Sequence, residues 1–110
     1  MAPIEEIHPG IWYRSGEGDP VAVVGGIHGD EPEGAQVVRE LCDPAHPTWQ
    51  QALPNPVWLL LGNPEALRLG ARHSEVGEDL NRLFGPEPIA DSANPERERA
   101  TLIREVLAPV

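Results

Sequence analysis

Residues 25–34, GGIHGDEPEG, set His28 and Glu31 three apart in a glycine-rich stretch. A neutral imidazole and a carboxylate on one short turn make two legs of a zinc site of the His₂Glu kind, whose fourth position stays open for water. Such a pair by itself is more often a hydrogen-bonded surface contact. A phosphate cradle is excluded more firmly, because GGIHG departs from G-x-G-x-x-G, lacks a P-loop lysine and carries acidic side chains that repel anions. Further along, RHSEVGEDLNRLF gathers Arg72, Asp79, Asn81 and Arg82. Arginine beside a metal can polarise a carbonyl and stabilise its oxyanion, while an Asn-Arg pair can hold a carboxylate through charge-assisted hydrogen bonds. Together these groups suit hydrolysis of an amide next to a carboxylate. A solvated loop with weak surface ion pairs is the alternative.

Such groups need strand ends and helix starts to aim them. Residues 11–14, IWYR, predict a short strand, followed by a turn in SGEGDP. Val21 to Val24 form an unbroken apolar run, as in a strand covered on both faces, and Gly25-Gly26 ends it. Asp30 as N-cap, Glu33 three residues on and Pro32 in the first turn predict a helix from about residue 31, burying Gly34, Val37, Val38 and Leu41. The four prolines of residues 43–56 indicate a loop with at most one helical turn. Val57 to Leu61 repeats the buried-strand pattern, Gly62-Asn63-Pro64 closes it, and PEALRL predicts a short helix. Gly70 to Gly85 lacks periodicity and is expected to be a functional loop. Asn94 as cap, Pro95 at the first helical position, and Ala100, Ile103 and Leu107 with Leu102 and Val106 predict an amphipathic helix to about residue 107. Strand, helix, strand implies a crossover and a partly parallel sheet. The expected fold class is therefore α/β, a mixed, partly parallel sheet flanked by helices.

Composition narrows the partners. The chain has 110 residues, enough for one domain at most, and 8 Lys+Arg against 18 Asp+Glu give a net charge of −10. That balance argues against nucleic acid. All the basic residues are arginines, suited to planar recognition of carboxylates. The single Cys42 excludes an internal disulfide and is expected to pack as a small hydrophobe. No basic-then-apolar leader and no long apolar run is present, so neither secretion nor a membrane span is expected, and a cytoplasmic location is the default.

GGIHGDEPEG followed by GNPEALRLGAR and EDLNRLF resembles, in the same order, the G-x-H-G-[ND]-E, N-P-x-A and D-L-N-R-x-F elements of the succinylglutamate desuccinylase/aspartoacylase family, a zinc-carboxypeptidase-like group. The resemblance runs from Gly25 to Phe84 and continues weakly through PERERATLIREVL. It implies Zn²⁺ as cofactor with His28 and Glu31 as ligands, Arg72 as the carbonyl-polarising cation, Asn81 and Arg82 as the substrate-carboxylate clamp, and Asp79 as a supporting group orienting that loop. The implied substrate is an N-acyl amino acid or a related small carboxylate. The family's third ligand, a histidine in an Asp-x-His segment, and its catalytic glutamate come after the helix that ends near Leu107, so neither is in this chain. His73 adjoins Arg72 and is the only other histidine close to the implied site; His8 and His46 lie beside prolines and need no role.

Two functional expectations follow. In one, the chain is the amino-terminal portion of a truncated zinc-carboxypeptidase-like deacylase, single and incomplete as a domain and inactive by itself, cut short by design, by a split gene or by a frameshift. In the other, it is a complete, non-catalytic binding module with a weak or empty metal site. An incomplete sheet would leave strand edges open to self-association or to a complementing carboxyl-terminal segment.

Overall fold

A computed structural model describes residues 3–50, 53–75, 77–85 and 94–108. The loop expected over 43–56 is thus described apart from Gln51 and Ala52, and that over Gly70 to Gly85 apart from Val76. Four strands, β1 (Glu5–His8), β2 (Ile11–Arg14), β3 (Val21–Gly25) and β4 (Val57–Leu61), form one sheet in the order β1-β2-β4-β3. The helices are α1 (Pro32–Leu41), α2 (Pro64–Leu69) and α3 (Pro95–Leu107), with 3-10 turns at Pro47–Gln50 and Leu80–Phe84. β3 and β4 are parallel, from Val21 opposite Val57 to Gly25 opposite Leu61, whereas β2 runs antiparallel to β4 and β1 to β2. The sheet is mixed and flanked by helices, as the sequence indicates.

Alternation along β4 separates two cores. Val57, Leu59 and Leu61 face Ala35 and Val38 of α1 and Trp49. Leu60 faces the other way, packing with Ile11 and with Ile103 of α3. Leu59 and Leu60 are fully buried, each contributing about 1.5–3 kcal/mol of transfer free energy. Trp49 secures the proline-rich connection, its Nε1–H donating to the Leu41 carbonyl at 2.7 Å. Cys42 packs partly against the same core, and burial, with the Glu6 charge behind it, pushes its thiol up to about 11. It behaves as a small hydrophobe.

Three expectations need correction. β3 is not covered on both faces: Val21 and Val24 are 46% and 39% exposed, because β3 lies at the outside of the described sheet. The α1 register is displaced. Glu31, not Asp30, is the N-cap, without a side-chain cap bond, and Ala35 and Val38 are buried while Val37 is 50% exposed. Gly34 still meets the sheet through its backbone, since a Cβ on Gly25 would fall 2.1 Å from the Gly34 carbonyl oxygen. Third, His8, which its neighbour Pro9 suggests lies in a loop, is the last residue of β1, and every residue of that strand is exposed. Gly10, at φ +72°, allows the tight reversal into β2, and its N–H donates to Glu6.

Both helix starts near the site are capped as expected of Asn-Pro. Asn63 Oδ1 accepts from the Ala66 amide at 3.2 Å and Asn94 Oδ1 from the Arg97 amide at 2.9 Å. Arg99 of α3 donates to the carbonyls of Pro9, Gly10, Leu61 and Gly62, tying the helix to the ends of β2 and β4. No helix among the described residues is long and apolar enough to cross a membrane.

Candidate functional site

The parallel pair β3 and β4 ends in two turns zipped together. Gly62 N–H donates to Gly25 O at 2.7 Å and Asn63 N–H to Gly26 O at 2.9 Å, prolonging the ladder beyond the strands. Ligands collect outside such carboxyl ends. Gly26 has φ +74°, and a Cβ on Gly29 would fall 1.9 Å from the Ala66 carbonyl oxygen, so this turn lies directly against α2. His28 sits on the turn and Glu31 at the start of α1, where the Glu31 amide donates back to the His28 carbonyl.

The two side chains converge: His28 Nδ1 is 3.1 Å from Glu31 Oε2. On the opposite edge of the ring, Nε2 is 2.9 Å from Asp79 Oδ1. His28 and Asp79 are 15% and 12% exposed, whereas Glu31 is 61% exposed. Asp79 also accepts from Arg72 Nη2 at 3.0 Å and from the Asn81 amide at 3.0 Å, and Arg82 Nε lies 3.9 Å away. That amide bond caps the Leu80–Phe84 turn, which explains how one aspartate both starts the turn and reaches the histidine.

Charge follows this geometry. The His28 imidazole is raised above its ordinary value, chiefly by the hydrogen bond to Asp79 and then by that to Glu31, against burial and the Arg72 charge. Burial would raise the Asp79 carboxyl, but the bonds from His28, the Asn81 amide and Arg72 outweigh it and hold the group down at about 2.

The donor set fits part of a zinc site. Two tetrahedral ligand atoms at 2.0–2.1 Å from zinc stand about 3.3 Å apart, close to the separation of Nδ1 and Oε2. Were Nε2–H donated to Asp79, the Nδ1 lone pair would be left for a metal ion, the arrangement of a carboxylate–histidine–metal relay. Among the described residues no group of three or more His, Cys, Asp or Glu side chains is arranged to hold a metal ion. His73 does not join them; its Nδ1 pairs with the Ser74 carbonyl at 2.7 Å.

The fold brings together His28, Glu31, Asp79 and Arg72, with Arg82 at the edge and Asn81 engaged through its backbone. Asp79 does more than orient its own loop, because it holds the histidine directly. Three buried polar residues behind the site, Asn63, Ser74 and Glu96, carry no role in the sequence reading. By type and position Asn63 is a turn residue and Glu96 an acid at a helix start, and nothing local in the sequence signals their burial.

Residues 17–108 match the family model for the Succinylglutamate desuccinylase/Aspartoacylase catalytic domain. N-acyl-aromatic-L-amino acid amidohydrolase (carboxylate-forming) B of Danio rerio is 34% identical over 93 residues, 81% of this chain and 29% of that protein. Succinylglutamate desuccinylase of Burkholderia thailandensis is 43% identical over 82 residues, 70% of this chain and 22% of that protein. Among solved structures, succinylglutamate desuccinylase from Chromobacterium violaceum superposes with a TM-score of 0.75 at 28% identity, over 94% of this chain and 33% of that one. A product-bound ectoine utilization protein from Ruegeria pomeroyi gives 0.69 at 26% identity, over 90% and 29%. The chain therefore spans about a third or less of the length of these relatives.

Proposed function

The chain belongs to the succinylglutamate desuccinylase/aspartoacylase family, and from that premise we propose that it carries the amino-terminal part of a zinc-dependent deacylase acting on an N-acyl amino acid or a similar small carboxylate. The observation that carries the proposal is the convergence of His28 Nδ1 and Glu31 Oε2 at 3.1 Å, backed by Asp79 on Nε2. When bound, zinc supplies Lewis acidity that brings water toward deprotonation near neutral pH. His28 and Glu31 would hold the ion. Asp79 keeps the imidazole in the tautomer that leaves Nδ1 free, and its own ionisation favours a cationic neighbourhood.

Arg72 reaches Asp79 through Nη2, and a guanidinium has five donors, so the side chain can anchor there and still donate to a carbonyl oxygen as it gains charge. Arg82, 84% exposed, would meet a carboxylate arriving from solvent, with Asn81 as its neighbour in the clamp. The names of the relatives support this substrate class, since they act on succinylglutamate and N-acyl aromatic amino acids. The family resemblance implies that the remaining zinc ligand and the general base would come from sequence beyond the matched residues.

Two experiments test the proposal. Coding sequence read past Val110 should encode an Asp-x-His segment and a later glutamate; a long continuation with neither overturns it. Purified protein should take up zinc that is lost in His28→Ala. Failure to take up zinc would instead favour a non-catalytic binding module.

A further inference from the structure

Glu96, in the first turn of α3, is fully buried, and no step proposed above uses it. Its carboxylate accepts four hydrogen bonds. Oε2 receives Asn63 Nδ2 at 2.9 Å and the Ser74 amide at 3.0 Å, while Oε1 receives Ser74 Oγ at 2.6 Å and the Glu78 amide at 3.2 Å. These donors come from the turn after β4 and from the loop that leads into Asp79. Gly77 confirms the tightness of the fit, because a Cβ there would fall 1.5 Å from Glu96 Oε1.

Two of these contacts lead toward His28. Asn63 also donates its amide to Gly26 O at 2.9 Å, two residues before the histidine. Glu78 immediately precedes Asp79, which grips the other edge of the same ring. The Glu96 carboxylate thus closes a loop of contacts running from Gly26 through Asn63, Glu96 and Glu78 to Asp79 and back to His28. Four bonds fill the acceptor capacity of an ionised carboxylate.

We infer that Glu96 is a positioning residue, acting through the Ser74–Glu78 loop to hold Asp79 against the His28 imidazole. Burial would raise this carboxyl, yet the bonds from Ser74, Asn63 and Glu78 outweigh it and lower it, so the group stays ionised and acceptor-only. In Glu96→Gln an amide NH₂ would face donors it cannot satisfy, and the loop should yield. The consequence for metal rests on the zinc reading above; the consequence for Asp79 does not.

The test therefore has two arms. In metal-free protein, the His28 Nε2 proton should give a resolved NMR resonance in the wild type that broadens away in Glu96→Gln, with the Glu78 amide exchanging about tenfold faster. In titrations with Zn²⁺ alone, Glu96→Gln should weaken binding roughly tenfold, the lower end of the range for outer-shell partners of a metal ligand. The double variant with Asp79→Asn should be less than twofold weaker than Asp79→Asn alone, because the two residues act in series. A general loss of stability would not give that pattern. Should Glu96→Gln fail to fold, Ser74→Ala, which removes only the hydroxyl bond, carries the same measurements with a smaller effect in the same direction. A retained Nε2 resonance in a folded variant, or an equal Glu96→Gln penalty with and without Asp79, overturns the inference. A wild type that shows the Nε2 resonance but binds no zinc refutes the metal reading, and the metal-free arm then decides the role of Glu96.

Discussion

Replacing Asp79 with asparagine removes one charge while keeping an oxygen that can cap the Leu80–Phe84 turn. In metal-free protein at about pH 6, His28 is substantially protonated and Asp79 ionised, so their interaction is near its strongest. The Asp79 carboxyl lies at about 2 instead of the ordinary 3.8, and at about 1.36 kcal/mol per pH unit that gap corresponds to roughly 2 kcal/mol of folding stability. Arg72 and Arg82 are 55% and 84% exposed and add little, so most of the effect belongs to His28 and the Asn81 amide. The sign is fixed by linkage: a depressed carboxyl stabilises fully above 3.8, and that contribution is lost as pH falls through about 2. Urea unfolding followed by tryptophan fluorescence should show Asp79→Asn with a midpoint lower by about 1–2 M at pH 6, taking a slope of about 1–2 kcal/mol/M. The gap should narrow steadily below about pH 4. A gap that is absent at pH 6, or that persists undiminished into acid, would refute the ion-pair account of Asp79.

Other outcomes follow from the same geometry. Zinc uptake should weaken as pH drops below the raised value of His28, with proton release that calorimetry in buffers of different ionisation heat can count; pH-independent uptake would contradict ligation by His28. In hydrolysis assays with the catalytic partner sequence present, Arg72→Ala should lower kcat by about 10²–10³ as an oxyanion donor, whereas Arg82→Ala should act mainly on KM. Gly29→Ala should destabilise the fold by about 1–3 kcal/mol, since its methyl meets the Ala66 carbonyl; thermal melting indistinguishable from wild type would show that this turn can relax.

Elements with strong local signals were legible in the sequence. β4 is an unbroken apolar run and is buried, and α3 begins where Asn94-Pro95 requires. What escaped depends on distant partners. Nothing local distinguishes an edge strand from a central one when both read as Val-rich runs, so β3 looked covered. β1 is acidic and exposed, and its pairing comes from the Gly10 turn and from β2. The α1 register slipped because Asp30 is as good a cap by type as Glu31 is by position. At the site, residue types and order indicated the cast, but the bond from His28 to Asp79 spans 51 positions, and spacing along the chain could not supply it. Glu96 illustrates the same limit: an acid in the first turn of a helix ordinarily complements the helix dipole in solvent, and only the loop folded over it makes it a buried hub.

X-ray absorption at the zinc edge of the metal-loaded protein addresses the shared-ion claim directly. One imidazole nitrogen and a carboxylate oxygen at about 2.0–2.2 Å, with the nitrogen contribution gone in His28→Ala and the oxygen contribution reduced in Glu31→Ala, is the expected result. A spectrum that neither substitution changes would place the ion elsewhere and contradict the account.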